Sequence, residues 1–252
     1  MIGRNARNLT LSATAALSLL AFTWPLFIAP GISANLAQTL AIVVMPLLVL
    51  LALQMIASRE LGSKQVALLA AVVALNSIVR MLGAGVEGIE TIFFLIILTG
   101  YVFRAGFGYL VGALSILCSA LIGSGIGPWM PFQMMAAGLV GLGAGLLPRL
   151  QKRWIRTSLL VGFSIVAAYL YGGLMTLWNW PWLAGSGTSL SYVVGAGAFE
   201  NLKIFAQYEF LTGGLLWDTG RAITTAVLVA LTTPALLPAL SRAANRAGFK
   251  TD

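Results

Sequence analysis

The placement of charge constrains this chain most. Residues 8 to 58, 105 to 148 and 157 to 199 carry no formal charge at all. Each window is long enough for one or two of the ~20-residue apolar segments that cross a hydrocarbon core. A soluble domain needs polar side chains over its whole surface. Here charged residues are 9% of 252 and hydrophobic ones 59%, so several helices must lie in a bilayer. A membrane barrel would show strands of about ten residues alternating apolar and polar, and no such alternation occurs. The expected fold is an all-α integral membrane protein.

Apolar runs bounded by glycine, proline and charge predict eight spans, near 9–29, 38–57, 65–82, 89–103, 106–123, 131–148, 158–178 and 216–238. The fourth is short, so it either tilts little or extends into its flanks. Placing the amino terminus inside assigns Arg4, Arg7, Arg59, Lys64, Arg104, Arg149, Lys152, Arg153, Arg156, Arg242, Arg246 and Lys250 to the cytoplasm. Only Arg80, Lys203 and Arg221 remain outside. This positive-inside asymmetry puts both termini in the cytoplasm of a multi-pass cell-membrane protein. It also explains the net charge of +8 without nucleic acid. A competing reading takes Arg4, Arg7, the first apolar run and Ile32-Ser33-Ala34 as a cleaved signal peptide, but the run is long for that and its loss spoils the asymmetry.

Histidine is absent, which removes the commonest metal ligand and general base, so neither a metal nor a cofactor is expected. The single cysteine, Cys118, sits in an apolar run and reads as core packing. The two longest non-spanning pieces, 81–88 and 179–214, both fall outside. The second holds NWPW, a Gly/Ser-rich stretch and ENLKIFAQYEFL, which reads as a short amphipathic surface helix.

On the third span, at 100° per residue, Ala67, Ala70, Ala71 and Ala74 fall in one stripe, with Asn76 and Arg80 opposite. Small side chains in a stripe let another membrane helix approach closely. An arginine at that depth costs several kcal/mol unless it finds a partner or a wet cavity. Glu87, Glu90, snorkelling to the surface, or the wall of a ligand pocket would each satisfy it. The last span opens with WDTGR. Its Asp218 and Arg221 are either a surface pair of little energetic weight or part of a binding site.

The junction GSGIGPWMPFQMM (123–135) breaks one helix at Pro128 and starts another at Pro131, whose missing N–H costs nothing in a first turn. Trp129 suits an interfacial anchor. Gln133, just inside the helix, must find partners within the protein or in a cavity, because lipid offers none. Glycines 138, 141, 143 and 145 then make a thin helix. The candidate ligand-binding residues, all on the outer side, are Asn76, Arg80, Trp129, Gln133, Asn179, Trp180, Trp182, Asn201, Tyr208, Asp218 and Arg221.

From about residue 65 onward the chain resembles the substrate-specific S component of energy-coupling factor (ECF) vitamin transporters. The resemblance rests on ALLAAVVALNSIVRMLG, on FFLIILTGYVFRAGFGYLVGALSILCSALIGSGIGPWMPFQMMAAGLVGLGAGLLP and on LWDTGRAITTAVL. The GxGPWxPFQ junction is its most specific part. It implies a six-helix core over 64–241, two additional transmembrane helices over 1–63 and a basic tail over 242–252. It implies capture of a vitamin, with cobalamin or a related corrinoid foremost and riboflavin, thiamine, biotin or a nucleobase precursor as alternatives, and delivery with a T component and two ABC ATPases. The family's AxxxA contact with the T component maps onto Ala67 and Ala71, or Ala70 and Ala74. The chain itself has no GxxxxGK[ST] motif. Two other classes are a stand-alone secondary carrier, which usually shows two related halves, and a membrane-embedded enzyme using Asp218 or Glu90. Neither related halves nor a base beside those carboxylates is visible in the sequence.

Overall fold

The computed structural model describes residues 4–27, 34–83, 88–185 and 187–249. Among these the protein is all-helical. Its elements are α1 (Arg4–Phe22), α2 (Ala34–Glu60), α3 (Ser63–Leu82), α4 (Phe93–Phe103), α5 (Ala105–Ser119), α6 (Met130–Leu146), α7 (Arg153–Leu177), α8 (Trp180–Leu183), α9 (Ala198–Leu211) and α10 (Gly214–Arg246). Among the described residues four helices are long and apolar enough to cross a bilayer: α3, α5 with its extension to Ser124, α7 and α10. This is the make-up of a membrane protein.

Several boundaries differ from the sequence expectation, each for a local reason. The first span stops at Phe22 because Pro25 follows, and the chain turns through Trp24–Leu26. α10 continues past the expected span to Arg246, through Pro234 and Pro238, so the start of the expected tail is helical. The short fourth span becomes the 11-residue α4, whose every side chain is buried. A helix apolar on all sides belongs inside a bundle, where it need not match the bilayer thickness.

The core is built on contact between glycines. α4, α5 and α6 pack on one another. A Cβ placed on Gly112 of α5 would lie 2.5 Å from the Ala137 carbonyl carbon and 2.8 Å from the Gly138 nitrogen of α6. Such contacts need glycine, since backbone cannot rotate aside. Arg104 alone separates α4 from α5 and takes φ +84°, the one non-glycine residue with positive φ among those described. α3 packs on α5 through Leu69, Val72, Val73, Asn76 and Ser77, a run spaced as one helical face. Ala67, Ala70, Ala71 and Ala74 stand exposed on its other side. α1 is tied in by the Phe22 ring edge-on to Phe132 and by Trp24 Nε1 donating to the Trp178 carbonyl at 2.9 Å. α2 packs on α5 and α6.

Helix directions bring the carboxyl ends of α3, α5 and α7 together with the amino ends of α4, α6 and α10. Glu90, Glu200, Glu209 and Asp218 all lie at this end, while Glu60 closes α2 at the other. Lys64, Arg104, Arg149, Lys152, Arg153, Arg156, Arg242 and Arg246 lie at the other.

Candidate functional site

A cleft of about 440 Å³ opens at the acidic end. α3 supplies Arg80, and the junction after α5 supplies Gly123 and Ser124. Gln133 comes from α6, Tyr171 and Met175 from α7, and Trp217 and Arg221 from α10, with Ile89 and Glu90 from the loop before α4.

Arg80 is held from two sides. Its Nη1 donates to Ser119 Oγ at 2.7 Å and its Nη2 to Gln133 Oε1 at 3.3 Å. One turn below, Asn76 Nδ2 donates to Ser115 Oγ at 3.1 Å, and Ser77 Oγ donates to the Ser115 carbonyl at 3.2 Å. Asn76 and Arg80 are thus two rungs, four residues apart, facing two serines four apart on α5. Asn76 is fully buried and stands outside the cleft lining.

The junction delivers Gln133 by steps visible in the chain. Gly125 turns it with φ +83°. The Trp129 ring lies against Gly127, leaving no room there for a Cβ. Pro131 enters the first turn, and Gln133 N–H donates to the Trp129 carbonyl at 2.9 Å, so the amide follows directly on the helix start. Trp129 itself stays 44% exposed and off the lining.

Across the cleft Arg221 is paired with Asp218, and both side chains are buried, at 11% and 7% exposure. The structure therefore overturns the surface-pair reading. Gly172 makes burial possible, since the Asp218 carboxylate occupies the space a Cβ would fill. The Arg221 guanidinium lies 5.3 Å from the Tyr171 ring centre, and Phe93 meets that ring edge-on at 4.7 Å. Arg221 Nε has no hydrogen-bond partner. The loop carrying Glu90 is positioned by Gly88, which runs close against Gly220, and by Thr91 Oγ1 donating to the Val79 carbonyl at 2.6 Å. Burial raises the Glu90 pKa above its usual value, and the Arg80 and Arg221 charges oppose that rise. Glu87 lies outside the described residues.

Of the expected binding residues, Arg80, Gln133 and Arg221 line this one cleft, with Asp218 behind Arg221. Asn76 is buried between α3 and α5, Trp129 stands off the lining, and the rest lie in the segment from Asn179 to α9. Trp180 is fully buried, donates from Nε1 to the Leu190 carbonyl at 3.1 Å and packs edge-on to Tyr192 and Phe205. Asn201 clamps Val193, accepting from its N–H and donating to its carbonyl, both at 3.0 Å. Asn179 leads into α8, Tyr208 packs against the Trp180 cluster, and Trp182 is 47% exposed. Sequence reasoning missed Tyr171, Met175 and Trp217 on the lining, because apolar neighbours conceal which face of a helix is wetted. The expected surface helix at ENLKIFAQYEFL is α9.

The cleft has the chemistry to hold a small organic molecule: two guanidiniums, one carboxyl, an amide, a phenol and an indole converge on it. No known protein family, no curated protein and no protein of solved structure matches this chain.

Proposed function

We propose that this chain is the substrate-binding S component of an ECF-type importer. In this reading a six-helix core follows two additional amino-terminal spans, both termini are cytoplasmic, and the cleft opens outward. The observation that carries the proposal is convergence: Arg80, Gln133 and Arg221, from three helices far apart in sequence, line one cleft of about 440 Å³ at the end away from the basic loops. That volume lies within the ~300–1,000 Å³ typical of clefts for small organic ligands. It supports a vitamin of one or a few rings. A cobalamin-type corrinoid is larger than the cleft and enters only if the start of α10 at Trp217 and the end of α3 at Gly83 move apart.

The chain supplies binding and a partner supplies energy. The exposed Ala67, Ala70, Ala71 and Ala74 form the face for the T component, through which two ATPases act. Mass spectrometry of small molecules retained by the purified protein tests the cleft: one vitamin-type ligand, lost in Gln133→Ala and Arg221→Ala, is expected. No retained ligand, with wild-type affinity in both variants for every vitamin offered, refutes it. Uptake by membranes holding only this chain would instead establish a stand-alone carrier.

A further inference from the structure

A second cavity lies at the opposite, basic end, and nothing in the proposed transport reading uses it. It holds about 190 Å³ and is walled by Arg104 after α4, Arg149 in the loop after α6, Arg156 in the first turns of α7 and Ser241 on α10, over an apolar floor that includes Leu237. Two of these arginines carry buried nitrogens with no hydrogen-bond partner: Nε and Nη2 of Arg149 and Nε of Arg156. Buried donors are almost always satisfied, so each such group asks for an acceptor. On Arg149 the two orphaned nitrogens form one edge of the guanidinium, the edge that grips two oxygens of a single phosphate or carboxylate.

The side chain is held ready for that contact. Arg149 Cζ lies 4.8 Å from the Tyr101 ring centre. The Tyr101 hydroxyl donates to the Pro148 carbonyl at 3.2 Å and accepts from Leu150 N–H at 3.1 Å, fixing the residues on either side of Arg149. No acidic residue is among those lining the cavity, and Glu90, Glu200, Glu209 and Asp218 lie at the far end; Glu60, which closes α2 on this side, is outside the lining. Burial, and after it the Arg104 cation, pulls the Arg149 pKa below its ordinary value, the direction expected where positive charges crowd together. Exposed side chains of the kind found at a membrane surface flank the cavity. Trp154, beside it in sequence, is 70% exposed in the first turn of α7, and Leu146 is 71% exposed at the end of α6, the pairing of indole and aliphatic that marks an interface.

We propose that the Arg149–Arg156 cavity binds a phosphate group, supplied by the headgroup of an anionic phospholipid. Basic pockets between membrane helices are suited to such headgroups, and the apolar floor leaves room for the glycerol end of the lipid.

The test uses the full chain in nanodiscs and in lipid-free detergent. Native mass spectrometry after exchange into phosphatidylglycerol-containing bilayers should find retained anionic lipid, reduced about tenfold to a hundredfold in Arg149→Gln/Arg156→Gln, the loss expected when charge-assisted bonds to one phosphate are removed. Arg149→Lys, which keeps the charge but lacks the two-nitrogen edge, should fall between. In detergent, inorganic phosphate raising the melting temperature of the wild type and not of the double variant, without any lipid preference, would support the phosphate site with a soluble source. Equal lipid retention by wild type and double variant, at unchanged melting temperature in lipid-free detergent, overturns the proposal. So does loss in the double variant of a protein partner's association alone.

Discussion

The buried Asp218–Arg221 pair allows a worked test of the cleft's electrostatics. An exposed pair of this spacing contributes roughly 0.2–1 kcal/mol. With side-chain exposures of 7% and 11%, this pair belongs to the buried class, in which removing one partner costs about 3–5 kcal/mol. The two single changes should not be equal. Arg221 also faces the Glu90 and Glu209 carboxyls, and Asp218 faces Glu209. Arg221→Met therefore leaves several acidic groups together without that cation, whereas Asp218→Asn keeps the shape that fits over Gly172 and strands only one charge, which still has Tyr171 beneath it.

Reversible unfolding in mixed detergent, measured on both singles and the double variant, gives the coupling. The expected result is that Arg221→Met destabilises more than Asp218→Asn, and that the double variant recovers about 1–3 kcal/mol relative to the sum. A coupling below ~0.5 kcal/mol would mean that water in the cleft screens the pair as it would at a surface, and the argument from burial would fail.

Three further outcomes follow from the packing and burial. Gly112→Ala should cost about 1–3 kcal/mol or more, because the new methyl meets backbone of α6 and cannot turn aside. Gly162→Ala on α7, where a Cβ meets nothing within 4 Å, should be neutral or gain up to ~1 kcal/mol of helix propensity, both read as melting temperatures. Glu209 is buried on α9 beside Thr176, and burial raises its pKa above the ordinary value. A raised acid favours the fold when protonated, so stability should fall as pH climbs from about 4.5 through the raised value. Glu209→Gln should reduce that fall in a pH series of melts, and an unchanged slope would count against it. Asn201→Ala removes both bonds to Val193, leaving its backbone unsatisfied. Limited proteolysis should then cut residues 187–197 several-fold faster than in wild type while α7 and α10 stay resistant.

How far the sequence could be read depended on what kind of signal each feature left. Helix positions were legible because charge, proline and glycine punctuate a chain that is otherwise apolar. The misplaced ends, at Pro25 and at Pro234–Pro238, arose because a proline lacks an N–H and crowds the carbonyl four residues back, and whether the helix ends or bends through it is not written in the local sequence. The cleft was half legible. Arg80, Gln133 and Arg221 stood out because lipid cannot satisfy them. Tyr171 and Met175 gave no signal, since on α7 they look like any buried residue. The loop residues misled in the opposite sense. Tryptophan and asparagine in a long exterior segment suggest a ligand site, yet Trp180 and Asn201 are spent on holding that segment together.

The third helix explains why a structural and a functional reading of one residue need not compete. Asn76 and Arg80 meet Ser115 and Ser119 at matching four-residue spacing, so the pairs set the register of α3 on α5. Register alone would be satisfied by the first rung and by Arg80 Nη1. Arg80 Nη2, however, reaches past α5 to Gln133 across the cleft at 3.3 Å, longer than the 2.7 Å bond to Ser119. The shorter bond anchors the guanidinium and the longer one is the easier to exchange for a ligand oxygen. The same residue therefore fixes its helix with one nitrogen and offers the other to whatever enters. α5 and α6 meet backbone to backbone at Gly112, whereas α3 packs chiefly on α5 through side chains.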